Sequence, residues 1–172
     1  MMKTTVSILE VNLISAQQLL SNATKSCRLQ TYVVAYIDYN KKSKVSSRID
    51  AVGNQNPTWN NKFIFSVESE LLTPTSCIVF EIYKVGNRML FQKDKRMGVV
   101  RVLVEDLMKN GCSTHKFMGC HVRKPRSGIP RGILNIGVVV ISDGILKQVM
   151  KKFLGSNYEF DYRSFLGESG GL

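Results

Sequence analysis

NPTWNNKFIF, residues 56–65, is the stretch that decides the fold. Its Asn-Pro pair predicts a turn, because proline fixes its own φ and pushes the preceding residue into extended geometry. Trp59 follows as a large apolar anchor, and Phe63 and Phe65 then alternate with a lysine and an isoleucine. Such alternation, with one strongly apolar face, is typical of a half-buried strand. The stretch therefore predicts a turn and strand of a β-sandwich.

Short apolar segments recur along the rest of the chain, with turn residues between them. The expected strands are Leu9–Leu13, Tyr32–Ile37, Lys44–Ile49, Phe63–Val67, Ile78–Ile82, Val100–Val104, Phe117–Val122 and Leu134–Val140. We find no long helical period before residue 143. The pattern predicts an all-β, eight-stranded antiparallel sandwich over residues 1–142.

The pattern changes after residue 142. Apolar residues recur at helical spacing between Ile145 and Leu154, with lysines on the other face. This spacing predicts an amphipathic helix over residues 143–155, capped by Ser142 or Asp143 and ended by Gly155. An acidic-aromatic tail occupies residues 156–172. The helix either packs on its own domain or docks on a membrane or a protein partner.

The charge balance is strongly basic, with 24 Lys and Arg against 13 Asp and Glu, a net +11. Such a chain favours an anionic partner, either phospholipid headgroups or nucleic acid. Apart from Phe91 and Phe117, the basic segments lack interleaved exposed aromatic residues, which argues against nucleic acid.

Other features narrow the class of protein. The four cysteines show no CxxC spacing, and no segment reads as a signal peptide or a membrane span. We expect an intracellular protein with free thiols, cytoplasmic and peripheral to a membrane. No nucleophile elbow, P-loop or dinucleotide motif is present, so we expect no enzyme and no cofactor.

Several segments resemble one family, the C2 domains, which are best known for calcium-dependent membrane docking. The family signature Asn-Pro-x-Trp/Phe-Asn-x-x-Phe-x-Phe is matched by Asn56, Pro57, Trp59, Asn60, Phe63 and Phe65. Further similar segments are Leu9–Leu19, Tyr32–Val34, Phe80–Tyr83 and Met97–Gly98. The resemblance implies a C2 β-sandwich.

A narrower resemblance concerns Val122–Val138, which is similar to a segment of plant single-C2 proteins of the cold-induced and copine-associated type. In that group Val-Arg-x-Pro-Ser-Gly-x-Pro-x-Gly-x-Leu-Asn precedes the last strand. This chain has one extra residue, Arg126, between Pro125 and Ser127. The resemblance implies a role in plant defence or stress signalling.

The resemblance also locates where calcium would bind, through aspartates of the first and third loops at one end of the sandwich. In this chain those positions fall on Asn22, Gln30, Lys84, Gly86 and Lys95. From residue 84 to residue 96 the only acid is Asp94. One carboxylate among amides, a glycine and lysines lacks the oxygen ligands that calcium needs. We therefore predict no metal site.

Basic residues stand where the calcium ligands would be. The third loop carries Lys84, Arg88, Lys93, Lys95 and Arg96 around an apolar stretch, Met89, Leu90 and Phe91, and the first loop adds Lys25 and Arg28. These cations predict attraction to anionic lipid without a bound metal. Alternatively, the apolar stretch packs into the domain's own end.

Two further basic groups are candidate lipid or partner surfaces. Lys41, Lys42, Lys44 and Arg48 precede the Asn-Pro turn, where many C2 domains bind phosphoinositides. A second run comprises Lys116, Arg123, Lys124, Arg126 and Arg131. The alternative for the first group is a solvated polar face.

Together these features predict a calcium-independent C2 module that binds anionic phospholipids or phosphoinositides through its basic loops and recruits a signalling protein. The alternative is a protein–protein adaptor in which the sandwich is only a scaffold, and the partner binds the C-terminal helix and tail.

Overall fold

The computed structural model describes residues 6–19, 29–109, 115–142 and 144. Within them the chain forms antiparallel strands and almost no helix, which confirms the predicted all-β class. The elements are β1 (Val6–Gln17), β2 (Thr31–Ile37), β3 (Asn40–Ser46), β4 (Thr58–Glu68), β5 (Cys77–Lys84), β6 (Lys95–Leu103), α1 (Val104–Met108), β7 (His115–Arg123) and β8 (Pro130–Ser142).

The strands follow one another in the order β3-β2-β5-β6-β7-β8-β1-β4. Contact between β6 and β7 is short, with Val99 opposite Arg123, and here the sheet folds over into two four-stranded halves. One continuous cluster of buried apolar side chains, from Leu9 and Trp59 to Phe80 and Ile136, fills the space between the halves. The last strand, β8, lies between β7 and β1.

The stretch that predicted the fold joins the two halves. Trp59 is fully buried, and its indole Nε1 donates to the main-chain oxygen of Thr31 at 3.1 Å. The Asn56 side-chain oxygen accepts from the N–H of Gln18 at 3.0 Å, and the Pro57 oxygen accepts from the N–H of Ala16 at 2.9 Å. The start of β4 is thereby tied to the end of β1 and the start of β2.

The third strand differs from the prediction. We expected Lys44–Ile49, but β3 runs Asn40–Ser46. The ladder stops because the side chain of Ser47 takes part in the pairing: its Oγ accepts from the N–H of Val33 at 2.9 Å. Residues 47–49 therefore belong to a connection rather than to the strand.

The sixth strand also ends earlier than expected, because Val104 opens the short helix α1. Val104 and Leu107 are buried, so one turn of helix covers the core at this point. Glu105 and Asp106 lie in its first turn, where the helix dipole favours negative charge.

In the part of the chain that the structure describes, we find no helix with the length and hydropathy of a membrane span. The predicted helix over 143–155 and the tail over 156–172 lie outside the described residues, apart from Gly144.

Replacing Trp59 by phenylalanine tests the role of this side chain. We expect Trp59→Phe to lower the free energy of unfolding by about 2–4 kcal/mol, because it leaves a cavity and removes one of two hydrogen bonds to the Thr31 oxygen, which keeps the N–H of Asp50 at 2.8 Å. Trp59 is the chain's only tryptophan, so urea unfolding should be followed by circular dichroism. A loss below about 1 kcal/mol would show that the indole does not bind the halves together.

Candidate functional site

Four connections leave the same end of the sandwich, because neighbouring strands are antiparallel: 18–30, 47–57, 85–94 and 124–129. We call this the loop end. The first two are joined by the Asn54 side-chain oxygen, which accepts from the N–H of Leu29 at 3.1 Å. The third is joined to the first by the Val85 N–H, which donates to the Gln30 oxygen at 2.9 Å.

The third connection ends in a structured turn. Arg88–Leu90 forms a short 3-10 helix, and the Asn87 side-chain oxygen caps it by accepting from the N–H of Met89 at 3.0 Å. The Asn87 main-chain oxygen accepts from the N–H groups of Leu90 and Gln92. The apolar stretch is thus held in one shape by its own backbone.

Met89, Leu90 and Phe91, here called the tip, point away from the protein. Their exposed fractions are 91%, 65% and 95%. They do not pack into the end of the sandwich, the alternative left open by the sequence. Val52 and Ile129, on two other connections of the loop end, are also exposed.

The acid of the third connection, Asp94, is already engaged. Its Oδ2 accepts from the hydroxyl of Tyr32 at 2.8 Å and its Oδ1 accepts from the N–H of Gly86 at 2.9 Å. The Gly86 hydrogen bond and then the Tyr32 hydrogen bond lower the pKa of Asp94. Tyr32 also stacks on Tyr83, with ring centroids 5.3 Å apart. Through these two hydrogen bonds, the Asp94 carboxylate holds the base of the third connection against β2.

Close backbone approach completes the base of the loop at Gly86. A Cβ there would lie 2.1 Å from the main-chain oxygen of Gln92, which real side chains do not tolerate. Glycine is therefore needed where the two arms of the loop cross. Tyr32, Asn87 and Gly86 together give the tip its position.

The positions where the resemblance places calcium ligands carry other chemistry. Gln30, Lys84 and Lys95 are exposed, and Lys84 lies opposite Lys95 in the β5–β6 ladder. Asn22 lies outside the described residues. Among the described residues, no group of three or more His, Cys, Asp or Glu side chains could hold a metal ion.

A second loop-end acid, Asp50, is also used by the backbone. Its Oδ1 accepts from the N–H groups of Val52 and Gly53, and its Oδ2 accepts from that of Thr58.

A groove of about 840 Å³ runs beneath the third connection, between Lys84 and Arg88 and beside Ile49.

The bases of the third connection differ in whether a carboxylate pairs with them. Within the described part of the chain, no carboxylate lies within salt-bridge distance of Lys84, Arg88, Lys93 or Lys95. Arg96, by contrast, pairs with Glu81. Burial opposes ionisation of Glu81, but the hydrogen bonds from Arg96 and Tyr83 outweigh it, and the pKa of Glu81 is lowered.

The group at 41–48 is spread over the length of the molecule. Lys41 and Lys42 follow the β2–β3 turn, at the end opposite the loop end. Lys44 lies on the outer sheet face with its Nζ 4.7 Å from the centroid of the Tyr36 ring. Arg48 lies beyond the end of β3, and its N–H donates to the Asn61 side chain at 3.1 Å.

The run from 116 to 131 is divided as well. Lys116 lies at the far end of β7, where its Nζ donates to the main-chain oxygen of Asp106 at 3.1 Å. Arg123, Lys124, Arg126 and Arg131 lie at the loop end, in or next to the β7–β8 connection. The first-loop bases Lys25 and Arg28 lie outside the described residues.

Comparison with known proteins identifies the class of protein that this fold and loop end define. The C2 domain family model matches residues 7–118, more than half of the chain. The chain therefore belongs to the C2 domain family, as the resemblance implied.

Solved structures agree on the fold. A C2 domain of plant Extended Synaptotagmin 1 is 22% identical, with a TM-score of 0.62, over 81% of this chain and 97% of that chain. A C2 domain-containing protein from a gene described as elicitor-responsive is 20% identical, with a TM-score of 0.57, over 80% and 90%. Human GIVD cytosolic phospholipase A2 is 15% identical, with a TM-score of 0.63, over 80% of this chain but only 16% of that chain.

At these identities the structural similarity shows the fold alone. No curated protein sequence matches the chain.

The hydrogen bond between Tyr32 and Asp94 can be tested by titration. We expect Tyr32→Phe to raise the pKa of Asp94 towards the ordinary value of an aspartate, while the remaining Gly86 hydrogen bond keeps it somewhat lowered. Because the folded-state pKa is lowered, the stability that Asp94 contributes is present at neutral pH and is lost as the pH falls through that pKa. Carboxyl-carbon NMR of the two proteins measures the shift, with Asp50 as the internal reference. An unchanged pKa of Asp94 would mean that the hydroxyl does not hold the loop.

Proposed function

We propose that this chain is a calcium-independent C2 module that docks on anionic membranes by its loop end and brings a signalling partner there. The observation that supports this most is the exposed tip within a group of unpaired bases. Met89 and Phe91 are 91% and 95% exposed, although both are strongly apolar. An ordered apolar projection surrounded by cations matches the two layers of an anionic bilayer surface, headgroups outside and hydrocarbon beneath.

Neither the charge attraction nor the insertion of the apolar tip is sufficient alone. Each base near an anionic surface contributes roughly 1 kcal/mol, so four of them give a dissociation constant of about 1 mM. Burying a tip side chain fully contributes a further ~1.5–3 kcal/mol. The two contributions together reach micromolar binding, so both the bases around the tip and the tip itself are required.

The ligand chemistry at the loop end supports calcium independence. Both oxygens of Asp94 and both oxygens of Asp50 already accept hydrogen bonds from the protein. The undescribed residues 20–28 contain neither Asp nor Glu. Fixed ammonium and guanidinium groups take the place of the divalent cation, and they need no metal to attract phosphate.

The protein partner, the cytoplasmic location and the absence of enzymatic activity remain parts of the proposal. They rest on the basic surface and on the lack of a catalytic motif. The adaptor alternative rests on residues 143–172, which lie outside the described residues apart from Gly144. Membrane binding, rather than geometry, therefore distinguishes it from the proposed function.

Vesicle sedimentation tests the proposal directly. The full chain should pellet with phosphatidylserine vesicles equally well with and without chelator, pellet less at high salt, and not pellet with neutral vesicles. Sedimentation that requires added calcium would contradict the calcium-independent part. No sedimentation at any salt concentration would favour the adaptor.

A tip variant separates insertion from charge. Replacing Met89 and Phe91 by serine should weaken vesicle binding by about 100-fold or more and leave the unfolding temperature unchanged, because neither side chain is packed. Leu71→Ser, an exposed apolar residue between β4 and β5 at the opposite end, is the matched control and should bind as wild type. Equal loss in both variants, or a large loss of stability in the tip variant, would contradict the role of the tip.

A further inference from the structure

A cleft of about 510 Å³ lies at the loop end, between the start of β6 and the β7–β8 connection. We call it the hairpin pocket. Its lining residues are Lys95, Arg96, Met97, Lys124, Pro125, Arg126 and Arg131. Five of these seven carry a positive charge and none carries a negative one. Two distant parts of the sequence meet here, the exit of the third loop and the segment with the extra residue.

The backbone of the β7–β8 connection is defined by its own hydrogen bonds. The N–H of Lys124 donates to the Ile129 oxygen at 2.8 Å, and the N–H of Gly128 donates to the Lys124 oxygen at 3.0 Å. Arg123 Nη1 donates to the Gly128 oxygen at 3.2 Å. The basic side chains of this connection therefore project from a fixed turn, not from a freely moving loop.

Arg126 occupies an unfavourable backbone conformation in that turn. Its φ is +72°, in the left-handed region that residues with a Cβ rarely adopt. Strain of this kind concentrates at functional sites, where the surroundings hold a side chain in place. Here the strained residue is an arginine that lines the pocket.

The electrostatics of the pocket favour a ligand with several negative charges. Of the five bases that line the pocket, Arg96 pairs with Glu81, and no carboxylate of the described residues lies within salt-bridge distance of the other four. Like charges at close range repel until an anion neutralises them. Guanidinium groups bind phosphate oxygens in pairs, and lysine binds phosphate as a point charge. The volume lies within the range of small-molecule sites.

We propose that the hairpin pocket binds the headgroup of a multiply phosphorylated inositol lipid in the membrane on which the tip docks. This rests on the proposed function, because the pocket opens at the same end as Met89 and Phe91. Exposed Ile129, next to the pocket, would face the same bilayer. The widely separated bases at 41–48 do not form such an enclosure.

Calorimetry with soluble inositol 1,4,5-trisphosphate tests the pocket without a membrane. The variant combines Arg126→Gly, which removes the guanidinium from a backbone position that suits glycine, with Arg131→Gln. We expect affinity to fall tenfold or more, because charge-assisted hydrogen bonds to phosphate are lost, with an unfolding temperature equal to or above that of wild type. The control Lys41→Gln with Lys42→Gln removes the same charge at the opposite end and should stay within about twofold of wild type. Equal weakening in both variants, or no binding by wild type, would overturn the proposal.

Vesicles then distinguish the source of the phosphates. At matched total charge, the wild type should prefer vesicles with phosphatidylinositol 4,5-bisphosphate over phosphatidylserine vesicles. The Arg126→Gly, Arg131→Gln variant should bind both kinds of vesicle more weakly, because it has lost two bases of the loop end, and should no longer distinguish between them. Binding of the soluble trisphosphate without any vesicle preference would assign the pocket to a free polyphosphate and overturn the lipid assignment. The lipid assignment would also be overturned if an RNA oligonucleotide bound the wild type more tightly than the trisphosphate does, and if the same variant no longer bound that oligonucleotide. Sedimentation with phosphatidylserine but no trisphosphate binding would overturn the pocket and leave the proposed function standing.

Discussion

The buried indole of Trp59 is the contact on which the loop end depends. It fills the core between the halves of the sandwich and donates to the Thr31 oxygen at the point where β2 begins. Asn54 and Asn56 extend this junction by accepting main-chain N–H groups of the first connection. Thr31 leads directly into Tyr32, whose hydroxyl binds Asp94 and so fixes the third connection. A packing contact in the core is thereby linked, through two neighbouring residues, to the position of the exposed tip.

Much of the fold is predictable from the sequence because apolar alternation reports directly on burial. Leu9, Val11 and Leu13 are all fully buried, as their spacing predicts. Boundaries are less predictable, since they depend on partners elsewhere in the chain. The end of β3 is set by Ser47, whose hydroxyl meets Val33, and polarity alone does not reveal that contact. The place of β8 between β7 and β1 likewise depends on how the halves assemble rather than on local pattern.

The candidate site is predictable in composition but not in arrangement. The sequence marks the apolar tip and its bases, and the structure adds that the tip is exposed and capped by Asn87. The sequence does not reveal that Arg96 is partly neutralised by Glu81, because the two are fifteen residues apart and meet only across adjacent strands. Nor does it reveal that bases near 95 and near 126 share one cleft, or that the run of bases from 116 to 131 is divided between opposite ends of the sandwich. Charge counts along a chain describe composition, whereas a binding site depends on which charges the fold brings together.

The central claim is that fixed side-chain cations and an ordered apolar tip dock this C2 domain without a metal ion. Amide NMR of the ¹⁵N-labelled full chain tests it most directly, by comparing calcium alone with anionic lipid nanodiscs in chelator. The account predicts that the amides of Gly86 to Arg96 shift or broaden with the nanodiscs and do not move with calcium. Saturable shifts of the same amides in calcium alone, and none with nanodiscs until calcium is added, would contradict it.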